Sequence, residues 1–283
     1  MAINNSIRAQ LSKDDLLAEI RMQLSSPLNE HKTFLMFEGL DDIYLFESLV
    51  NTDECFLYES YGGKEALGEI VENHFLDKRI IAIRDKDYDT KSDCDRIFYC
   101  DYCNAEMMMV SNDLCFSTFM RRMVRKNEDF TALREQVLDA LKVISFTRKQ
   151  NDEKSWGIDL SNISVEYMFS LSNPISLKNL VLHINSKSVI KFDDTMQSTV
   201  VDELNNNTNS LLHYTNGHDF CVGLKCIVNN LFGINKNAIN KLNLADFRSM
   251  LSLPYNLDFF KTTNLYASLK KYEEKSELHI VEV

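Results

Sequence analysis

Carboxylate side chains that could hold a metal ion fall at two places in the first third of the sequence. The residues concerned follow apolar runs and are Glu38, Asp42, Asp85 and Asp87. If such side chains converge, each close pair repels by about 4 kcal/mol at an effective dielectric constant of about 20. A hard divalent cation relieves this repulsion, and both Mg²⁺ and Mn²⁺ suit carboxylate ligands. Two such ions stabilise the attacking and leaving oxygens of a phosphodiester, so the predicted chemistry is metal-dependent phosphodiester hydrolysis.

The spacing within each acidic pair is compatible with one shared site. Asp42 follows Glu38 by four residues, about one helical turn, so both side chains can face the same crevice. Asp85 and Asp87 are two positions apart, which directs both side chains to one face if strand geometry continues through them. Each pair also has an ordinary explanation, because acidic residues are common in turns and as solvated caps. The prediction therefore depends on both pairs ending strands of a single sheet.

The elements that would position these residues alternate between strands and helices. Apolar runs of strand length cover residues 32–37, 55–58, 80–83 and 97–100. Stretches with helical periodicity separate the first three runs, which indicates βαβ units. The predicted fold class is α/β, with a Rossmann-like parallel sheet flanked by helices. In such a sheet ligands bind beyond the carboxyl ends of the strands, where the acidic residues fall.

The chain is predicted to divide into an N-terminal helical segment, a catalytic α/β domain and a mainly helical C-terminal region. Their ranges are 1–31, 32–124 and 125–283, respectively. We expect one long helix over 105–124 and another over 129–146, because apolar residues recur there at helical spacing. The polar stretch 147–163 is expected to be a loop, and 164–204 is expected to mix short strands and helices.

The composition is that of an ordinary folded protein. Of the 283 residues, 45% are hydrophobic, enough to bury a core. No apolar stretch reaches about 18 residues and no secretory signal is evident, so no membrane span is expected. Seven cysteines, an odd number, suit buried thiols in a reducing compartment, and the expected location is the cytoplasm. Zinc at Cys100 and Cys103 is disfavoured because no second Cys-x-x-Cys pair accompanies them.

The formal charge of −11 is unfavourable for an enzyme that binds nucleic acid, since phosphate contacts usually need a positive surface. Bound metal ions or a local basic patch can offset it. The residues predicted to contact nucleic acid are Lys86, Arg121, Arg122, Arg125 and His218. A basic run such as 121–126 is more often a solvated helix face, and Lys86 is expected to point away from the aspartates beside it. Helix capping by Gly217 or Asp219 would also explain the Gly-His-Asp-Phe motif around His218.

Two motifs resemble those of the Toprim family, whose fold is shared by topoisomerases, primases and OLD-type nucleases. They are Phe-Glu-Gly-Leu-Asp-Asp at 37–42 and Asp-Lys-Asp-Tyr-Asp at 85–89, each at the end of a predicted strand. The resemblance implies that Glu38 takes part in acid–base or metal chemistry and that Asp85 and Asp87 hold metal. The Glu-x-x-x-Asp spacing of the first motif is more similar to that of the OLD-type nucleases, which adds Asp42 to the implied ligands.

A closer resemblance covers nearly the whole chain. The motifs at 101–106, 217–220 and 260–266 are similar to those of the Toprim effectors of PARIS-type anti-phage defence systems. The resemblance implies a toxin that cleaves transfer RNA, is held inactive by an AAA-type ATPase partner and forms a homodimer when active. It also implies that Glu106 is a ligand of a second metal, although a carboxylate at the start of a helix is favourable in any case.

Three functional hypotheses remain open on the sequence. The first is a Mg²⁺-dependent endoribonuclease that acts on transfer RNA as a defence effector. The second is an OLD-type DNA endonuclease, although the sequence offers no basic element that would read a duplex groove. The third is a module without catalytic activity that docks a basic protein on its acidic face, which the net charge favours.

Overall fold

The computed structural model describes residues 12–88, 94–124, 128–161, 163, 165–168, 174–231 and 244–282. The chain forms two compact units. The sheet unit consists of the described residues among 1–85, 91–100 and 256–283. The helical unit consists of those among 86–90 and 101–255.

Helices and strands alternate along the first hundred residues, and helices follow. Up to residue 100 the elements are α1 Lys13–Leu24, β1 Thr33–Phe37, α2 Leu40–Phe46, β2 Cys55–Glu59, α3 Gly63–Glu69 with a π-helical turn Ile70–His74, β3 Ile80–Arg84 and β4 Ile97–Tyr99. The helical unit contains α4 Ala105–Ser111, α5 Asp113–Met123, α6 Phe130–Glu153, α7 Val165–Met168, α8 Leu177–Lys187, α9 Asp194–Asn206, α10 Gly217–Leu231 and α11 Leu244–Ser252. The sheet unit ends with α12 Leu257–Phe260 and α13 Asn264–Ser276.

The described strands form one parallel sheet in the order β2-β1-β3-β4. Phe34 of β1 is opposite Phe56 of β2 on one side and Ile80 of β3 on the other. Every residue of β1 is buried, as expected for a strand with helices on both faces. The predicted α/β class with a parallel sheet flanked by helices is therefore confirmed.

The two faces of the sheet pack against different helices. Phe34 and Met36 join an apolar cluster that α1 and α3 complete. Phe37 instead stacks on Phe46 of α2, with ring centroids 5.4 Å apart. Alternate residues of one strand thus bury against opposite layers, as the pleat of a strand requires.

The last part of the chain completes the sheet unit. The ring of Phe260 in α12 lies 5.8 Å from that of Phe46, and Tyr272 in α13 lies 5.5 Å from Phe98 of β4. The buried carboxylate of Glu273 accepts a hydrogen bond from the N–H of Val281 at 2.8 Å. The compact units consequently follow boundaries other than the predicted segments 1–31, 32–124 and 125–283, because contacts between distant parts of the chain define them.

Three local expectations for the chain beyond residue 100 differ from the described structure. The helix expected over 105–124 is interrupted because the side chain of Asn112 accepts hydrogen bonds from two N–H groups of α5 and caps that helix. The expected loop 147–163 is helical as far as Glu153, since Arg148 and Lys149 pair with carboxylates of other helices. The described residues of 164–204 form helices and no strand.

Candidate functional site

The carboxyl ends of β1 and β3, adjacent strands of the sheet, carry two of the predicted acidic residues. The N–H of Asp85 donates a hydrogen bond to Oε1 of Glu38 at 3.2 Å. The N–H of Ser60, just after β2, donates to the carbonyl of Phe37 at 2.9 Å and ties a third strand end to the same edge. The structure therefore brings Glu38 and Asp85 together, from positions 47 residues apart in the chain.

Arg84 adds a positive charge beside this pair. Its Nε lies 3.9 Å from Oε1 of Glu38, and its guanidinium lies 5.4 Å from the centre of the Tyr99 ring. The side chain is mostly buried, which fixes the guanidinium at the sheet edge. No sequence pattern singled out Arg84, since it reads as the polar end of an apolar strand.

Asp42 lies in the first turn of α2, just after β1. Its Oδ2 accepts a hydrogen bond from the N–H of Gly39 at 3.2 Å, so the carboxylate turns back toward the residue that follows Glu38. This contact satisfies an N–H at the start of the helix, the ordinary role of an acidic residue there. Asp42 thus shares the edge of Glu38 within the sheet unit, and its role as a metal ligand stays a prediction.

Asp87 belongs to the helical unit, and its backbone departs from strand geometry. The strand β3 ends at Arg84, and Asp87 has a φ of 46°, in the left-handed region. Strand geometry therefore does not continue through Asp85 and Asp87, and the condition on which their shared face was predicted is not met. The N–H of Asp87 donates to the carbonyl of Cys103 at 2.7 Å, which holds this conformation. Left-handed residues other than glycine are uncommon, and they concentrate at functional sites.

Glu106 is buried in the helical unit and is paired with a cation. Its carboxylate forms an ion pair with Arg248 of α11, 142 residues further along the chain. Asn104 caps the same helix, α4, by accepting a hydrogen bond from the N–H of Met107 at 3.1 Å. A Cβ on Gly217 would lie 2.6 Å from Oε2 of Glu106, so a larger residue there would require this carboxylate to shift. Glu106 therefore has a structural partner that the sequence did not predict.

The Gly-His-Asp-Phe motif also contains a buried ion pair. Arg148 donates to Asp219 through Nε at 2.6 Å and through Nη2 at 3.0 Å. Burial alone would raise the pKa of Asp219, but hydrogen bonds and charge from His218 and Arg148 hold it below its ordinary value. His218 itself is exposed. The side chain of Asn216 accepts from the N–H groups that open α10, so the expected capping by Gly217 or Asp219 is wrong.

The predicted basic contacts differ in their settings. Arg121 and Arg122 are exposed in the last turn of α5. Arg125 and Lys126, together with Asp89 of the second acidic motif, lie outside the described residues. The solvated basic face that the sequence indicated is thus present at Arg121 and Arg122.

An open cleft of about 440 Å³ lies within the helical unit, next to the turn that follows β3 in sequence. Its lining includes Lys86, Tyr88, Lys149, Asn209, His213 and Tyr214. Burial, assisted by the charge of Lys86, lowers the pKa of His213, while Asp101 opposes the shift. Sequence reasoning missed this cleft, because its residues come from three separate stretches with no shared motif.

The donor chemistry of the sheet edge fits a hard divalent cation. Across the ranges that the structure describes, no group of three or more His, Cys, Asp or Glu side chains is arranged to hold a metal. Mg²⁺, however, often takes one or two carboxylates and completes its shell with water and substrate phosphates. Glu38 and Asp85 are carboxylate residues that follow adjacent strands, and the contact between them runs through the N–H of Asp85. The cysteines are a poorer fit, because burial raises the pKa of Cys55 and of Cys115 to about 12 and disfavours their thiolates.

Comparison with known proteins gave no match: no protein-family model matches the chain, and no curated protein matches it. Among the described helices, none is long and apolar enough to cross a membrane. Function is therefore inferred from the residues of the two units themselves.

Proposed function

We propose that this protein is a Toprim-type endonuclease that depends on Mg²⁺ or Mn²⁺ and prefers transfer RNA as its substrate. The supporting observation is the contact between Glu38 and the backbone of Asp85 at the carboxyl ends of β1 and β3. Open parallel sheets bind ligands at that edge. Two carboxylates held there by separate strands suit a cation that bridges to a phosphate.

Each residue of the sheet edge has a defined part in this proposal. Glu38, Asp42 and Asp85 would hold the ion, with Asp87 and Glu106 as the further ligands that the family resemblance implies. When bound, the metal would stabilise negative charge on the phosphate. Glu38 would accept a proton from the attacking water. Arg84, whose Nε is 3.9 Å from Glu38, would attract the phosphate to the edge.

The biological setting of the proposal comes from the resemblance of the motifs to anti-phage effectors. In that setting the protein would be a cytoplasmic toxin, held inactive by an AAA-type ATPase subunit until infection. It would form a homodimer when active and cleave transfer RNA. The exposed Arg121 and Arg122 would contact the RNA backbone, which is the usual partner of arginine in such complexes.

A cleavage assay tests the proposal directly. Purified protein is incubated with transfer RNA, single-stranded RNA or supercoiled plasmid, in Mg²⁺, in Mn²⁺ or in EDTA. We expect cleavage of transfer RNA that EDTA abolishes. Glu38→Gln and Asp85→Asn should each lower the cleavage rate about 100-fold or more, because each removes the negative charge of a proposed metal ligand. Sequencing of the RNA ends locates the cut.

The control is Glu47→Gln, which removes an exposed carboxylate after α2. This variant should cleave like the wild type, and circular dichroism should show all variants folded. Cleavage at the wild-type rate by Glu38→Gln or Asp85→Asn would contradict the assignment. Nicking of the plasmid in preference to RNA would favour a DNA endonuclease instead.

The net charge of −11 favours a second candidate, a module without catalytic activity that docks a basic protein. The two candidates differ in metal binding. If the protein is a nuclease, isothermal titration with Mn²⁺ should show a saturable binding site that Asp85→Asn weakens. If it is a docking module, the titration should show no saturable heat of binding.

A further inference from the structure

The cleft of the helical unit presents aromatic rings that its surroundings hold in place. The Tyr214 ring packs 5.0 Å from that of Phe146. Its hydroxyl accepts a hydrogen bond from Asn209 at 2.8 Å, and its carbonyl accepts one from the hydroxyl of Tyr88 at 2.9 Å. These contacts fix the orientation of the ring before any ligand binds.

His213 extends this aromatic wall. Its ring lies 6.4 Å from that of Tyr214 and 4.9 Å from that of Tyr102. Tyr214 and His213 are both only partly buried, and the ammonium of Lys149 lies 5.0 Å from the centre of the Tyr214 ring. Fixed aromatic faces of this kind are what nucleic-acid bases stack on, irrespective of base identity.

The charges of the cleft limit how anionic its ligand can be. Lys149 is compensated by Glu203 and by Glu153, whose carboxylate lies 3.7 Å away. Lys86 forms no ion pair or hydrogen bond with any residue in the described part of the chain, so its ammonium is available to a ligand. Because Asp87 and Glu153 also line the cleft, it suits one phosphate better than several.

We propose that this cleft binds one nucleotide of a single-stranded nucleic acid, with the base on His213 and Tyr214 and the phosphate at Lys86. The volume of about 440 Å³ is in the range of sites for small ligands. The inference rests on the proposed function and deepens it, because it names the residues that hold the substrate strand. Lys86 follows Asp85, a proposed metal ligand, directly in the chain.

Binding without cleavage tests this assignment. A fluorescently labelled ten-nucleotide RNA is titrated with the full chain in EDTA and low salt, and anisotropy is recorded. We expect binding that Lys86→Gln and His213→Ala each weaken at least about fivefold, the lower end of the effect of one base–aromatic stack. Unlabelled uridine monophosphate and uridine triphosphate serve as competitors, and both should compete less well than the unlabelled RNA.

Matched controls are Lys178→Gln and His183→Ala, which lie on α8 and do not line the cleft. They should bind the RNA within about twofold of the wild type, and thermal unfolding should show that all four variants are folded. If folded Lys86→Gln and His213→Ala bound the RNA as tightly as the wild type, the assignment would be overturned. Tight binding of the free triphosphate without RNA binding would also overturn it, since the cleft would then serve a metabolite.

The same experiment separates this inference from the proposed nuclease activity. RNA binding in EDTA that depends on Lys86 and His213, in a protein that never cleaves in Mg²⁺ or Mn²⁺, would contradict the proposed function and leave the cleft assignment standing. RNA cleavage at the wild-type rate by both Lys86→Gln and His213→Ala would support the proposed function and contradict the cleft assignment.

Discussion

Buried carboxylates of the helical unit are paired with arginines from distant positions. Glu106 pairs with Arg248, and Asp219 pairs with Arg148 across 71 residues of sequence. A buried charge without a partner is strongly unfavourable, so each pair constrains which helices can pack together. The motifs at 101–106 and 217–220, which suggested functional roles for Glu106 and His218, therefore also join helices through buried ion pairs.

The Glu106–Arg248 pair gives a stability prediction. Arg248→Ala should lower the free energy of unfolding by about 3 kcal/mol, because Glu106 stays buried and loses the cation that compensates it. Urea unfolding followed by circular dichroism measures the loss. The exposed Arg122 provides the control, since Arg122→Ala should change stability by less than about 0.5 kcal/mol. Equal stability of wild type and Arg248→Ala would show that the pair contributes nothing.

At the scale of single residues, the sequence could predict the residues that follow strands. Glu38 and Asp85 were predictable because short apolar runs mark strand ends, and parallel strands bring those ends to one edge. Arg248 was not predictable, because no local pattern relates it to Glu106 at a separation of 142 residues. The left-handed backbone of Asp87 was also beyond the sequence, since aspartate adopts several turn conformations.

At the scale of elements, a polar cluster joins α1 to α3 in the sheet unit. Glu69, the last residue of α3, accepts hydrogen bonds from Lys13 at the start of α1 and from the hydroxyl of Tyr61. His74, in the π-helical turn after α3, lies 3.1 Å from the same carboxylate. The three partners favour the ionised form of Glu69.

This cluster gives a prediction about pH. Hydrogen bonds from Lys13, then Tyr61 and then His74 lower the pKa of Glu69 to about 2. Because the folded pKa is depressed, the contribution of Glu69 to stability is present above its ordinary pKa of about 4.3 and is lost as the pH falls through about 2. Carbon-detected NMR titration of the carboxyl group measures the pKa. It should rise in Tyr61→Phe, and an ordinary pKa in the wild type would contradict the cluster.

The strands were more predictable than the helix ends. Continuous apolar runs predicted the ends of the described strands to within one residue, because a buried parallel strand has few alternatives. The helices of the second half were harder, as α6 shows. Its last turns carry the polar residues Arg148 and Lys149, which look like a loop in sequence and stay helical because each meets a carboxylate.

At the scale of the whole molecule, residues far apart in sequence share one core. Phe260, fully buried in α12, packs its ring against Phe46 of α2 and Tyr266 of α13. Local sequence periodicity cannot indicate that this segment belongs with a sheet whose strands lie about two hundred residues earlier. Pairing of distant segments is the information that local patterns lack.

The packing of Phe260 gives a third prediction for stability. Phe260→Ala should lower the free energy of unfolding by about 3–5 kcal/mol, because it removes a large side chain from a closed core. The neighbouring Phe259 is partly exposed, and Phe259→Ala should cost clearly less. Chemical unfolding of the two variants beside the wild type gives the comparison, and equal losses would mean that α12 is not packed as described.

The chain passes between the two units four times, near residues 85, 90, 100 and 255. On the ribosome, Phe46 and Phe98 are made long before Phe260 and Tyr272, whose rings pack on them. A nascent polypeptide that has reached residue 255 contains the described strands but lacks Phe260 and Tyr272, so the rings of Phe46 and Phe98 have not yet gained these contacts.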